Sequence, residues 1–146
     1  MPQTLSAPVL SINDLSSFLK RDFPQIGIGT DFIIEEVGPM TARLRLTYHS
    51  KHLRPGGTMS GPSMFALADV AIWVAIMAQI GEIPEVVTTN LNINFLRMPA
   101  PKDLLAQVRI LKLGKRLAIG EAVITSEGSD APVAHAIATY SVPPQR

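Results

Sequence analysis

The chain contains no cysteine. That excludes a disulfide scaffold, a thiol nucleophile and a Cys-ligated metal, and it fits a reducing compartment. Charge of one sign is lacking too: 13 Lys and Arg face 12 Asp and Glu, leaving a net +1. Such a balance offers no argument for a nucleic acid or an acidic partner. A secretory start is also missing, because Met1 to Asn13 has no basic residues followed by a long apolar run, so a cytoplasmic location is expected. Charged residues make up only 17% and hydrophobic ones 47% of 146 residues. This composition is that of a globular chain with one core.

What the chain does have is one long apolar stretch. Arg54 to Ile80 opens as a glycine-rich turn, Pro55-Gly56-Gly57-Thr58, and passes through Ser60-Gly61-Pro62 into Met64 to Ile80. In that last segment only Asp69 and Gln79 are polar. Leu, Met and Ala favour helix. Ser60 or Gly61 can cap it, Pro62 suits its first turn, and Gly81 and Pro84 end it. A helix apolar on all faces has to be surrounded. A membrane span fits poorly, since the run is near the lower limit of ~17 residues and carries an acid at its centre. Burying Asp69 is costly unless it is paired, hydrogen-bonded or used. From the residues alone, a structural Asp bonded to a nearby hydroxyl or backbone group and a functional acid both remain open.

Around this stretch the pattern predicts one short helix and six strands. Met1 to Pro8 reads as a tail. Ser11 to Phe23 reads as an amphipathic helix with Ile12, Leu15, Phe18 and Leu19 on one face and a cap at Ser11 or Asn13. Strands are expected over Thr30 to Val37, Met40 to Tyr48, Val86 to Leu96, Leu104 to Leu113, Arg116 to Thr125 and Pro132 to Val142. In the second, Ala42, Leu44, Leu46 and Tyr48 alternate with polar residues. In the third, Val87, Thr89, Leu91, Ile93 and Phe95 form one row and Thr88, Asn90, Asn92 and Asn94 the other. In the last, Ala134, Ala136, Ala138 and Tyr140 would let a helix lie close. Short turns at Gly114-Lys115 and Glu127 to Ala131 imply an antiparallel sheet wrapped on one helix. No repeat or linker interrupts this plan.

This layout, with the words GTMSGPSMFALAD, TTNLNINFLRMPAP, LKLGKRLA and HAIATY, resembles the hotdog fold. It is most similar to the phenylacetate-degradation type of acyl-CoA thioesterase. The resemblance covers Thr30 to Val142. It implies an α+β hotdog domain with an antiparallel six-stranded sheet around a long central helix. The core would span 30–142, and 1–28 would be a tail and short helix. It implies hydrolysis of a thioester, with coenzyme A as part of the substrate and no separate cofactor. Carried over residue by residue, the family acid falls on Asp69, the oxyanion-holding amide on Gly61, and a hydroxyl facing the acid from the partner subunit on Thr88. Coenzyme A contacts fall on Asn90 and Arg97, and on the turn formed by Lys112, Gly114, Lys115 and Arg116. Three positions depart: the family Asn is Arg54, the family His is Ser60, and the second Gly of that motif is Pro62. Arg54 has no acceptor with which to orient a water.

Other readings stand beside this one. Lys112 to Arg116 also reads as a solvated hairpin end. His49 and His52 lack a third ligand for zinc, and His135 lies in a strand. Ser60 sits in no nucleophile elbow and reads as a cap. The Asn90, Asn92, Asn94 row reads as either a solvent face or a subunit seam. The expected assembly is a homodimer or dimer of dimers acting on acyl-CoA, with no metal, nucleic acid or membrane. The alternative on the same scaffold is a non-catalytic acyl-CoA or acyl-group binding protein. A hydratase would call for a site histidine on the central helix or in the loop before it, and neither has one.

Overall fold

The computed structural model describes residues 6–145, so the part of the tail reading that concerns residues 1–5 lies outside it. Helix α1 spans Ile12–Asp22. Ser11 caps it: its Oγ accepts from the Asp14 amide at 3.1 Å, and the Asp14 carboxylate accepts from the Ser11 amide at 2.9 Å. This reciprocal box satisfies two amides that the first turn leaves free. Leu15, Phe18 and Leu19 form the buried face, as the spacing predicts.

Six strands follow the expected order: β1 Phe32–Gly38, β2 Thr41–Leu46, β3 Val87–Phe95, β4 Leu104–Leu113, β5 Leu117–Ser126 and β6 Pro132–Ser141. Helix α2, Gly61–Ile80, joins β2 to β3. The strands make one antiparallel sheet in the order β1-β2-β4-β5-β6-β3. Because α2 carries the chain across the whole sheet, β3 ends up at an edge beside β6, far from β2. This is the hotdog arrangement.

The Ser60 side chain caps α2 by accepting from the Ser63 amide, Pro62 occupies its first turn, and the Gly81 amide closes it on Met77 O. By length and composition α2 could cross a membrane, but 61% of its most apolar stretch is buried inside the chain. Its cover is the inner row of the sheet: Ala42, Leu44 and Leu46 on β2; Leu104, Ala106 and Val108 on β4; Ala118 and Ala122 on β5; and Ala134, Ala136 and Ala138 on β6. The alanines let the helix approach closely. Contact is tightest at Gly120, where an added Cβ would lie 2.7 Å from Ile72 Cγ2.

Two expectations need correction. The second strand stops at Leu46, and Tyr48 leaves the buried row. It lies 39% exposed, with its hydroxyl donating to Gly57 O at 3.1 Å. The second correction concerns β3. Its register on β6 runs Thr88 opposite Tyr140, then Asn90 opposite Thr139, which leaves Thr89 as a bulge. Side chains directly opposite one another share a face. Thr88 therefore joins Leu91, Ile93 and Phe95 on the helix side, and Asn90, Asn92 and Asn94 remain on the outer side. One inserted residue flips the pleat and breaks the alternation the sequence suggests.

Gly120→Ala should lower stability by about 1–3 kcal/mol, the usual cost of forcing a methyl into a packed core, because Ile72 belongs to the central helix and has little room to move. A urea melt at constant m-value checks this, and an unchanged midpoint would refute the tight contact.

Candidate active site

The site is built at two places on α2. At its start, Leu53 and Met59 bridge across a tight loop, the Arg54 amide donates to Thr58 O at 2.8 Å, and Gly57 returns a bond to Arg54 O at 3.1 Å. Gly56 and Gly57 hold positive φ of 104° and 86°, a conformation that side chains resist. Ser60 Oγ accepts from the Ser63 amide at 3.2 Å and donates to Ser63 Oγ at 2.9 Å, so Ser60 serves as a cap. Gly61 is the first residue of α2 and keeps an amide without an intrahelical acceptor. Arg54, Gly61 and Arg97 line one cavity of about 460 Å³, together with Thr58, Met64 and Phe95.

Two turns along the helix, Asp69 sits partly buried on the stripe the sheet does not cover. Thr88 Oγ1 donates to its Oδ1 at 2.7 Å. The Tyr140 hydroxyl reaches the same Oδ1 at 2.7 Å and Asp69 O at 2.9 Å. The carboxylate is thus gripped on one oxygen by two hydroxyls. Oδ2 has no donor among the described residues, and it is the oxygen left to engage a water or substrate. Tyr140 is fully buried. Burial first, and the Asp69 charge second, push its phenol well above the ordinary tyrosine range, so it stays a neutral donor. A second cavity of about 400 Å³ opens beside this cluster, lined by Asp69, Thr88, Val70, Trp73, by Phe18 of α1 and by Phe23 just after that helix.

The structure therefore divides the expected site residues. Asp69 and Thr88 come together within one chain, because the β3 bulge turns Thr88 inward; this corrects the expectation that Thr88 faces the acid from a partner. Gly61 lies eight residues before Asp69, about 12 Å along the axis at 1.5 Å per residue, too far for both to touch one carbonyl. The cations are divided as well. Gly114, Lys115 and Arg116 form the β4–β5 turn and Lys112 stands near the end of β4 beside it; Val142 N bonds Arg116 O at 2.9 Å. Leu117 pairs with Ser141 and Ser141 with Val87, which puts this turn at the Asp69 end of the sheet. Arg97 lies nine residues beyond Thr88, roughly 30 Å along an extended strand, at the Gly61 end. Asn90 is exposed on the outer face, away from both cavities.

Tyr140, Trp73, Phe18 and Phe23 gain places here that their residue types did not suggest. Tyr140 ends a row of alanines, and Trp73 falls one turn after Asp69; those spacings were the available signals. No histidine side chain among the described residues bonds Asp69, although His52 O accepts from Ser60 N at 2.8 Å and from Ser63 Oγ at 3.2 Å at the start of α2. His135 pairs with Glu121 at 3.0 Å on the outer face, and burial lowers the pKa of His52. Among the described residues no cluster of His, Asp and Glu is placed to hold a metal.

Comparisons with known proteins give the family and the fold. The family model of the thioesterase superfamily matches residues 56–133, more than half of the chain. A protein of a Silicibacter species, described as a candidate thioesterase, is 45% identical in its crystal structure, with 94% of each chain covered and a TM-score of 0.86. A candidate esterase of Saccharolobus solfataricus is 27% identical over 135 residues, 92% of this chain and 87% of that protein. A mutant of the phenylacetic acid degradation protein of Thermus thermophilus shares the fold at 22% identity, covering 79% of this chain and 96% of that one, with a TM-score of 0.68.

The Tyr140 bond gives a test that needs no substrate. The chain has two tyrosines, so a Tyr48→Phe protein isolates Tyr140. It should show no phenolate absorbance at pH 10.0, the ordinary tyrosine pKa, until the protein unfolds. The unfolded chain loses this proton near pH 10 while the folded chain keeps it. Stability should therefore be intact below pH 10 and fall as pH rises beyond it. Phenolate formation in the native protein at pH 10 would refute the buried contact.

Proposed function

The chain belongs to the thioesterase superfamily, and from that membership we propose that it hydrolyses an acyl-CoA thioester to the free acid and coenzyme A. The observation that carries the reading is the Asp69 carboxylate, held by Thr88 and Tyr140 at the mouth of an apolar cavity with one oxygen unbonded. The acyl group occupies that cavity and its carbonyl carbon faces Asp69. Oδ2 takes a proton from a water as the water attacks the carbonyl carbon. The carbonyl oxygen becomes an oxyanion, the C–S bond breaks, and coenzyme A leaves as its thiol after receiving the proton. General-base assistance of this kind is worth about 10²–10⁴-fold. One aimed N–H at the oxyanion adds about 3 kcal/mol, and the Gly61 amide at the positive end of α2 is suited to that work.

Because about 12 Å of helix separates Gly61 from Asp69 in one chain, the two must meet across two copies. Several features support a two-fold dimer. Strand β3 is an open edge, with Val87 and Phe95 more than half exposed. Beside it, Gly61, Pro62, Phe65, Ile93 and Phe95 line an almost wholly apolar hollow. Phe65 lies midway between Gly61 and Asp69 in sequence. A two-fold axis passing near Phe65, relating antiparallel helices, brings Gly61 of one copy level with Asp69 of the other. The same operation brings the Arg54 and Arg97 end of one chain toward the Lys112–Arg116 turn of the other. The cations that are divided in a single chain then form one coenzyme-binding end. This reading is of a cytoplasmic enzyme, a homodimer or dimer of dimers, with no cofactor beyond the coenzyme A of its substrate.

Asp69→Asn is nearly isosteric and should fold while acyl-CoA hydrolysis falls by about two decades or more. Wild-type turnover in that variant would make Asp69 a structural acid. No release of coenzyme A by the native protein from any of a panel of acyl-CoAs, with binding retained, would favour the non-catalytic binding protein. Sedimentation at micromolar concentration should show particles of at least twice the 15.8 kDa chain. A monomer that still hydrolyses acyl-CoA would remove the two-chain site.

A further inference from the structure

The cavity beside Asp69 has a built end. Trp73 lies one turn after Asp69 on the same stripe of α2, about 6 Å further along. Its indole is fixed, because Nε1 donates to Val86 O at 3.0 Å. Phe18 packs against it with ring centroids 5.9 Å apart, and Phe23 meets it edge-on at 6.3 Å. Phe18 is wholly buried, and the Arg21 guanidinium sits over its ring at 5.7 Å. The helix that carries Phe18 and is capped by Phe23 is itself tied down. Val9 and Leu10 donate to Ala78 O near the end of α2, and Arg21 pairs with Glu82 at 3.1 Å. Phe23 and Trp73, with the wholly buried Phe18 packed against Trp73, thus line the part of the cavity beyond the Asp69 carboxylate.

Volume and charge narrow the ligand. About 400 Å³ is at the small end for ligand pockets. Val70, Pro84, Val86 and Val87 supply apolar sides, and Asp22 is the second carboxylate in the lining besides Asp69. Asp22 is paired with Arg21 at 2.9 Å, so it is the Asp69 charge that opposes an acyl group ending in an acid.

We propose that Phe18, Phe23 and Trp73 form an end wall that restricts the acyl group to short, uncharged, apolar chains, so that the N-terminal helix sets the length selectivity of the site. This inference rests on the thioesterase reading for the identity of the acyl ligand. The wall works by exclusion. A short chain fills the space between Asp69 and the indole, whereas a long straight chain meets the fixed indole and the rings packed against it, and it either fails to seat its carbonyl at Asp69 or leaves its tail in water.

Two readouts separate the wall from the chemistry. Trp73 is the only tryptophan of the chain, so its emission reports the wall directly. Non-hydrolysable S-hexyl-CoA should shift or quench it, and S-hexadecyl-CoA at equal concentration should have a far smaller effect. In hydrolysis, kcat/KM for straight-chain acyl-CoAs should fall from hexanoyl to palmitoyl. Phe23→Ala, at a site 41% exposed and so tolerant of truncation, should raise the palmitoyl-to-hexanoyl ratio by about tenfold or more, the scale set by misfitting methylenes in an apolar pocket. Trp73→Ala should raise it further. If the native enzyme hydrolyses acyl-CoA but the ratio stays fixed in folded Phe23→Ala, or S-hexyl-CoA leaves Trp73 emission unchanged, the wall is refuted. A Trp73 response to the hexyl probe that Phe23→Ala extends to the hexadecyl probe, in a protein that hydrolyses nothing, would uphold the wall and overturn the hydrolytic reading instead.

Discussion

A helix apolar on every side needs cover on every side, and one curved sheet covers only one. That constraint organises this protein. Helix α2 buries Leu67, Ala71, Val74 and Ala78 without exception, yet Pro62, Phe65, Asp69 and Trp73 lie on a stripe the sheet leaves exposed or only partly covered. Helix α1 covers the far end of that stripe by packing Phe18 on Trp73. The near end, with Phe65 and Phe95, stays open. The uncovered stripe is therefore where a substrate and a second copy of the chain can both be accommodated, and it is where the helix carries its acid.

The rise of the helix then divides the chemistry. Donor amides exist only at the start of α2, because further along each N–H is used by the helix itself. The acid lies two turns away, where Tyr140 and Thr88 can reach it from β6 and β3. Neither group can move toward the other without unwinding the helix. A site that uses both has to be assembled from two chains, and an antiparallel two-fold arrangement supplies that without further elements. In the single chain the basic turn at Lys112 to Arg116 and the cation at Arg97 are divided in the same way, the first toward Asp69 and the second toward Gly61.

A buried tyrosine bonded to a carboxylate stabilises only as a pair. Loss of the hydroxyl would leave Oδ1 with Thr88 alone, and loss of the acid would leave a phenol buried beside a bare backbone carbonyl. The bulge at Thr89 serves the same pair. It costs one ladder position, and in return it turns a hydroxyl from the outer face to the helix face at the level of Asp69. Other register shifts fall between Ile34 and Glu36, between Ile110 and Lys112 and beside Ile124, but the one at Thr89 is the one that meets the carboxylate.

Much of this was legible in the amino-acid sequence because it depends on short-range physics. The caps at Ser11 and Ser60, the period-two rows of β2 and β6, the uniformly apolar α2 and the acid at its centre are each set by residues a few positions apart. The motif words around Gly61 and Asp69 carried the family. Pairwise geometry across the fold was not legible. The face of Thr88 hangs on one bulged residue that strict alternation assigns to the wrong row. Tyr140 looked like the end of a packing row, since nothing local says that its hydroxyl lies opposite Thr88 and under Asp69. The wall of Phe18, Phe23 and Trp73 joins residues some fifty positions apart in the chain. The sequence by itself determined which elements form and which acid is placed in the core helix. Only the tertiary structure decided which hydroxyls hold that acid, and how far the helix start stands from it, because register and helix rise are properties of packed elements.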